Sequence, residues 1–187
     1  MKYLIAGLGN IGEQYAGTRH NAGFDIVEEL ASRKESVFQS GRYAWHTSLK
    51  FKGRELVLIK PTTYMNLSGK AVRYWLEKEN IPVEQLLVVV DDIALPPGEL
   101  RMKKKGGAGG HNGLEDIIAI LGTEEFARLR FGIGDQYLRG RQADFVLSPW
   151  EPEERDAIRE RMKIAADMII SYVTIGPERT MTLFNKK

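Results

Sequence analysis

Apolar residues recur along the chain with two different periods, and these periods predict strands that alternate with helices. Short apolar runs, and one stretch with a two-residue alternation, predict strands at 2–6, 43–51, 56–59, 86–90 and 129–133. Apolar residues three and four positions apart predict helices over about 22–33, from a capping Ser68, over 114–121, and from about Pro152 to a stop at Gly176-Pro177. The stretch 99–103 is expected to form an edge strand, and 7–21 a long loop rich in glycine and polar groups.

This alternation favours an α/β fold. The hairpin over 43–59 turns at Gly53 and must be antiparallel, so the central sheet is expected to be mixed, mostly parallel, and flanked by helices as the middle layer of a three-layer sandwich. The sequence has no internal repeat and no linker long enough to divide it. Its 187 residues fit one domain of about 100–200 residues, so we predict a single domain over 1–187.

The composition of the chain excludes several kinds of functional site and argues against secretion and membrane insertion. The chain is 43% hydrophobic and 28% charged, as is usual for a globular protein, and it contains no cysteine. A disulfide scaffold, a cysteine-based zinc site and a thiol nucleophile are therefore excluded. The N-terminus reaches glycine within seven residues, too soon for a signal peptide, and no apolar stretch approaches the roughly 18 residues of a membrane span. We expect a cytoplasmic protein without membrane contact.

Positive charge is concentrated in one short segment, although the net charge is only +2. Arg101, Lys103, Lys104 and Lys105 fall within five positions with no acid among them. Such a patch can bind phosphate at one place on a near-neutral protein. Lysine-rich solvated edge strands are also common, and charge alone favours that second interpretation.

The first glycine cluster follows a strand and matches the dinucleotide-binding pattern G-x-G-x-x-G at Gly7, Gly9 and Gly12. A nucleotide-dependent oxidoreductase would need a helix opening at the third glycine and an acid at the end of the second strand. Gly12 is followed instead by a polar stretch without apolar periodicity, and the acids Glu28 and Glu29 fall inside a predicted helix. The required context for nucleotide binding is missing.

The same loop carries a dense set of polar groups that suits substrate contact: Asn10, Tyr15, Thr18, Arg19, His20 and Asn21. His20 can titrate near neutral pH and act as a base, although a lone loop histidine is more often inert.

Asp91-Asp92 ends the valine-rich strand, where α/β sheets place their active sites, and one carboxylate there can orient an imidazole. The alternative role is turn capping before Pro96-Pro97. Without cysteine or a G-x-S-x-G motif, a His–Asp pair would activate water directly.

Two further segments combine glycines or hydroxyls with amides, 60–69 and 106–113. Neither is a P-loop, because no G-K-[ST] follows the glycines. Asn66 and Asn112 suit the backbone groups of a peptide substrate, or equally a turn or a helix cap.

The spacing of the histidines and aspartates fits neither H-x-x-x-H nor H-E-x-x-H, so we expect no metal site. His46 lies on the polar face of a predicted strand and is expected to be exposed without a functional role.

These residues together identify a resemblance to the bacterial-type peptidyl-tRNA hydrolases. The blocks that carry it are GLGNIGEQYAGTRHNAGF at 7–24, KPTTYMNLSGKAV at 60–72, DDIALPPGELR at 91–101, GGAGGHNGL at 106–114 and RLRFGIG at 128–134. They follow the family's order and cover most of the chain. The resemblance implies hydrolysis of the ester that joins a peptide, or an N-blocked amino acid, to the tRNA 3′ end, which returns free tRNA to translation.

The resemblance also implies a monomer without a cofactor or an obligate protein partner, and it implies roles for particular residues. His20 would activate water, Asp91 would orient it, and Asn10 would hold the carbonyl and help position the water. The substrate-binding residues would be Tyr15 and Met65, which shape the channel, and Asn66 and Asn112, which bind the peptide backbone and support the tetrahedral intermediate. Lys103 and Arg130 would clamp a tRNA phosphate, with Arg101 and Arg128 nearby; such contacts are sequence-blind.

Two positions depart from the family's pattern. Ile11 stands where a proline usually follows GLGN, and Ala94 replaces an acid commonly found three residues after the catalytic aspartate. Neither change affects the His–Asp pair. An inactive RNA-binding module remains a rival interpretation, which the presence of His20, Asp91 and Asn10 disfavours.

Overall fold

A seven-stranded mixed sheet forms the centre of the protein, in a computed structural model that describes residues 1–185. The strands lie in the order β2-β3-β4-β1-β5-β7-β6. Their bounds are β1 Lys2–Gly7, β2 Gln39–Gly41, β3 Ala44–Phe51, β4 Arg54–Pro61, β5 Leu86–Asp92, β6 Leu100–Lys103 and β7 Ala127–Gly132. The four central strands β4, β1, β5 and β7 are parallel, whereas β3 and β6 run antiparallel to their neighbours. The four parallel strands therefore end at one edge of the sheet, which we call the C-terminal edge.

Helices cover both faces of the sheet. Their bounds are α1 Ala22–Ser32, α2 Ser68–Lys78, α3 Asn112–Leu121, α4 Gln142–Val146, α5 Arg155–Ile175 and α6 Pro177–Phe184. Residues of α1 and α5 share one core cluster with Ile5 of β1, and residues of α2 and α3 share a second cluster with its neighbour Leu4. Because neighbouring residues of a strand point to opposite faces, the two clusters lie on opposite sides of the sheet. The predicted α/β fold with a mixed sheet between helical layers is confirmed.

The glycines of the first loop allow α1 to approach the sheet closely. A Cβ on Gly7 would lie 2.3 Å from the carbonyl oxygen of Gly23 in α1, and one on Gly9 would lie 2.8 Å from the Phe24 ring. Gly12 is followed by the short 3-10 helix Glu13–Tyr15 rather than by a long helix. The glycine cluster therefore serves helix–sheet packing, and the structure lacks the helix that a dinucleotide fingerprint opens.

Several local expectations were wrong in detail. Ser68 does not cap α2, because it is already the first helical residue and its hydroxyl donates to the Met65 carbonyl. The last long helix begins at Arg155, after Pro152. Gly176 stops it with a φ of 91°, but Pro177 then occupies the first turn of the further helix α6, a position that proline favours.

No helix within residues 1–185 combines the length and the apolar character of a membrane-spanning helix.

Candidate active site

Two histidines contact one aspartate at the C-terminal edge. Asp91, at the end of β5, places Oδ2 2.7 Å from Nδ1 of His20 and Oδ1 2.9 Å from Nε2 of His111. His20 belongs to the 3-10 turn Arg19–Asn21 that leads into α1, and His111 immediately precedes α3. The predicted His20–Asp91 pair is thus present in the geometry, extended by a second imidazole.

The charge state of Asp91 follows from its surroundings. Its side chain is only 3% exposed, and burial alone would raise its pKa. The two imidazoles nevertheless hold the pKa of Asp91 below its ordinary value of 3.8, through the positive charge that each ring carries when it is protonated and through the hydrogen bonds that they donate. An ionised carboxylate only accepts hydrogen bonds. Nδ1 of His20 and Nε2 of His111 must therefore both donate.

This assignment leaves the other nitrogen of each ring as an acceptor. Nδ1 of His111 accepts the N–H groups of Gly113 and Leu114 at 3.1 and 3.3 Å, and so caps α3. Nε2 of His20 has no hydrogen-bond partner within residues 1–185, and His20 lines the cavity described below. The hydrogen bonds at the opposite side of each ring fix both tautomers.

Sequence reasoning gave no role to His111. Asparagine is a preferred helix cap, and capping was one of the two roles that the sequence left open for Asn112. The structure makes Asn112 the first helical residue and His111 the cap. The only signal in the sequence was the position of His111, just before a predicted helix whose start could lie near the strand-end residue Asp91.

A separate hydrogen-bond network positions Asn10. Its Oδ1 accepts the N–H of Met65 at 2.7 Å, which leaves its Nδ2 donors available to a ligand. The side chain of Asn21, buried at 3% exposure, accepts the N–H of Asn10 and donates to its carbonyl oxygen. Asn21 therefore fixes the loop that presents Asn10, a role that the sequence did not reveal.

A cavity of about 610 Å³ joins most of the predicted site residues. Its lining includes Asn10, His20, Met65, Asn66, Asp91, Lys103, Asn112, Arg128 and Arg130. Asn66 and Asn112 are exposed, and neither amide has a hydrogen-bond partner in the described chain. Tyr15, in the 3-10 helix Glu13–Tyr15, and Arg101 lie outside this lining.

The four predicted phosphate-binding cations occupy adjacent strands but differ in availability. In the antiparallel pair β6–β7, Lys103 lies opposite Arg128 and Arg101 opposite Arg130. Lys103 is exposed, Arg130 donates to Asp92 at 2.9 Å, and Arg101 pairs with Glu99 at 2.6 Å. Lys103 and Arg130 both face the cavity, as a phosphate clamp would require.

Arg128 requires a correction. It is 1% exposed, and its guanidinium donates to the carbonyl oxygens of Gly107, Glu124 and Phe126 while stacking on the Phe126 ring. These bonds tie the glycine-rich segment to β7. Arg128 is therefore a buried support of the cavity wall, and its head group is not free to bind a tRNA phosphate.

Helix α4 forms another wall of the cavity, through Gln142, Ala143 and Val146. Arg19, next to His20 and only 6% exposed, donates to Pro149 O at 3.0 Å and to Glu154 Oε1 at 3.3 Å. It also donates to the carbonyl of Phe145 near the end of α4 and stacks 4.3 Å from that ring. One buried cation thus joins the turn that carries His20 to the segment that closes the cavity.

The cluster also has the composition of a metal site. The ligating atoms of His20, Asp91 and His111 all lie within 4.8 Å of one another, although their spacing along the chain matches no metal motif. In the structure these atoms face each other at hydrogen-bond distance and satisfy one another. The geometry fits a hydrogen-bonded acid–base cluster.

A histidine held by a buried carboxylate, unpaired amides and nearby cations at the edge of an α/β sheet are the groups that a hydrolase uses to activate water and to bind its substrate. The family model described as peptidyl-tRNA hydrolase matches residues 4–187. The chain belongs to the peptidyl-tRNA hydrolase family.

Relatives and solved structures agree with this assignment. The chain is 56% identical to the peptidyl-tRNA hydrolase of Phocaeicola vulgatus, over 100% of both chains. It is 53% identical to that of Porphyromonas gingivalis, over 99% of this chain and 100% of the relative. The crystal structure of the Acinetobacter baumannii peptidyl-tRNA hydrolase superposes with a TM-score of 0.92 at 34% identity, covering 98% of this chain and 94% of that one.

Proposed function

We propose that this chain hydrolyses the ester between a peptide, or an N-blocked amino acid, and the 3′ end of tRNA, with His20 as the base that activates water. The family membership supports the reaction. The observation that carries the mechanism is the 2.7 Å contact between Asp91 and His20 Nδ1, which leaves Nε2 as a free acceptor.

Two residues, His20 and Asp91, account for every proton transfer in the reaction. Nε2 of His20 takes a proton from water as its oxygen attacks the ester carbonyl, and Asp91 stabilises the imidazolium that forms. The same proton then passes to the 3′ oxygen as the C–O bond breaks. The products are a carboxylic acid and tRNA with a free 3′ hydroxyl.

The amides supply the electrostatic part of the mechanism. Because Met65 N–H occupies Oδ1 of Asn10, Nδ2 of Asn10 is presented to the ester carbonyl and to the oxyanion that it becomes. Asn66 and Asn112, exposed in the cavity lining, bind the backbone groups of the peptide. Met65 shapes the substrate channel, and Tyr15 helps to shape it from a position outside the lining of this cavity.

Lys103 and Arg130 hold a phosphate of the tRNA, with Arg101 adding positive charge from the neighbouring position on β6. Phosphate contacts carry no sequence information, which suits an enzyme that must accept many tRNAs. We further propose that the protein acts as a cytoplasmic monomer without an obligate protein partner.

We propose that the reaction requires no metal. Both Asp91 oxygens, Nδ1 of His20 and Nε2 of His111 are engaged with one another in hydrogen bonds, and water activation then falls to the imidazole of His20.

The experiment that tests this function measures release of N-acetyl-amino acid from N-acetyl-aminoacyl-tRNA, with EDTA and with added Zn²⁺. Release in EDTA supports the proposal. Release only with the ion would overturn the metal-free mechanism. No release by folded wild-type protein would overturn the enzymatic function and favour an RNA-binding role.

A further inference from the structure

A second group of cations surrounds a tyrosine next to α2. Arg42 and Tyr43 form the turn before β3, Lys70 and Arg73 are exposed on α2, and Tyr74 of the same helix is half-buried. The guanidinium of Arg42 lies 5.2 Å from the Tyr43 ring and 5.6 Å from the Tyr74 ring, and the Lys70 amine lies 5.4 Å from Tyr43. We call these five residues the Tyr43 surface.

The protein holds this surface in a fixed shape. The indole N–H of Trp75, a buried residue of α2, donates to the carbonyl of Arg42 at 2.8 Å and so fixes the turn against the helix. Tyr43 has a φ of 64°, a left-handed conformation that costs about 1–3 kcal/mol for a non-glycine residue, so the surrounding structure must hold the turn in place. The Tyr43 and Tyr74 rings meet edge to face at 5.6 Å.

The positive charge of the surface is not neutralised. Arg42, Lys70 and Arg73 are exposed, and none of them forms an ion pair with an acid within residues 1–185. Their combined field is visible at Tyr43, whose pKa is lowered by the hydrogen bond from Arg42 and by the charges of Arg42, Lys70 and Arg73. Three unpaired cations around two aromatic rings suit a ligand that carries phosphate and bases.

The Tyr43 surface lies at the same edge of the sheet as the catalytic cluster. Ala44, the first residue of β3, pairs with Pro61 at the end of β4, and the Tyr43 carbonyl accepts the N–H of Thr62. The sheet order places β3 three strands from β5, which carries Asp91, or about 14 Å at the usual strand spacing. The predicted phosphate clamp lies beyond β5 on the opposite side, on β7 and β6.

Both basic areas also lie on the same face of the sheet. Val90 of β5 belongs to the core beneath α2 and α3, and Arg130 is its partner in the parallel register of β7. A single large polyanion lying across the mouth of the cavity can therefore reach both areas.

We propose that the Tyr43 surface binds the phosphate backbone of the tRNA portion of the substrate, as a second contact on the far side of the cavity from Lys103. The inference rests on the proposed function. RNA is the favoured ligand over the attached peptide because every nucleotide carries a phosphate, whereas a peptide of arbitrary sequence offers no constant negative charge.

The test compares two double variants that remove the same charge. Lys70→Gln/Arg73→Gln neutralises the Tyr43 surface and leaves the rings in place. Lys50→Gln/Arg179→Gln is the matched control, because both residues are exposed and lie on β3 at its other end and on α6. Each protein is assayed with N-acetyl-aminoacyl-tRNA and with the same ester on the trinucleotide CCA, over a range of salt concentrations. Binding of uncharged tRNA is measured separately.

For the Lys70/Arg73 variant we expect KM for the full-length substrate to rise about two- to tenfold, as for two lost exposed ion pairs, with kcat unchanged. The salt slope of tRNA binding should fall by about 1–2, and the CCA substrate and the control should behave as wild type. Unchanged KM and salt slope would overturn the proposal, as would an equal effect on the CCA substrate.

Failure of the proposed function gives a different result. A wild-type protein that hydrolyses neither substrate contradicts the enzymatic mechanism. The binding of uncharged tRNA still tests the Tyr43 surface in that case, because it depends on no chemical step.

Discussion

The side chain of Asn21 contacts the backbone of Asn10 at both of its polar groups. Oδ1 accepts the Asn10 N–H at 2.8 Å, and Nδ2 donates to the Asn10 carbonyl at 2.9 Å. Since Asn21 also ends the 3-10 turn that carries His20, one residue sets the positions of the base and of the amide that faces the substrate.

Replacement of Asn21 by aspartate should therefore disturb catalysis without touching the substrate. Aspartate cannot donate to the Asn10 carbonyl, and its charge repels that oxygen. We expect kcat to fall about tenfold or more and the free energy of unfolding to fall by about 1–3 kcal/mol. Steady-state kinetics and urea unfolding measure both; Asn80→Asp, at an exposed position, serves as the control. Wild-type kcat in a folded Asn21→Asp protein would contradict the positioning role.

Arg19→Ala should destabilise the protein far more than loss of a surface arginine. It removes a buried cation from several carbonyls of the segment that ends α4 and from Glu154, whose side chain is 28% exposed. Each buried carbonyl left without a donor costs about 1–3 kcal/mol. Arg159→Ala, which loses an exposed contact to Asp156, should cost about 0–1 kcal/mol. Chemical unfolding of the two variants gives the comparison, and similar losses in both would show that Arg19 contributes no more than a surface residue.

Lys103 and Arg128 should give opposite results although they are partners in the β6–β7 register. Lys103→Ala should raise KM and reduce the salt slope of tRNA binding by about 1, as for one lost phosphate contact. Arg128→Gln, which removes the charge, should leave the slope unchanged and lower stability by about 1–3 kcal/mol for each buried carbonyl left without a donor. A salt slope reduced by about 1 in Arg128→Gln would show that Arg128 does bind a tRNA phosphate.

Asp25 should make stability depend on pH. Burial, and then the charge of Glu28, raise its pKa from 3.8 to about 7, against the opposing effect of Lys60. The native state holds a proton that the unfolded state has lost between these values, so stability falls as pH rises from about 4 to about 7. Asp25→Asn should remove this decline and be more stable than wild type by about 1–4 kcal/mol at pH 8.

Thermal unfolding of wild type and Asp25→Asn between pH 4 and 8 measures this difference. Parallel profiles for the two proteins would show that Asp25 titrates near its ordinary value in the folded state.

The sequence predicted those features that depend on local pattern. Apolar periodicity located the main strands and α1, and a strand-end aspartate with a loop histidine indicated the His20–Asp91 pair. Features that depend on distant packing were missed. His111 contacts Asp91 because α3 begins beside β5. The guanidinium of Arg128 is occupied by hydrogen bonds to carbonyls of the segments before and after α3. Basic residues on neighbouring strands look equivalent in sequence, and only the fold separates the exposed Lys103 from the buried Arg128.

The central claim is that His20 supplies the base, and the most direct test is single-turnover hydrolysis of N-acetyl-aminoacyl-tRNA by His20→Ala at saturating enzyme. Loss of general-base assistance should lower the rate by about 10²–10⁴, while the Kd for uncharged tRNA stays within about twofold of wild type because His20 contacts no proposed phosphate site. A His20→Ala protein that hydrolyses the ester at the wild-type rate would contradict the mechanism.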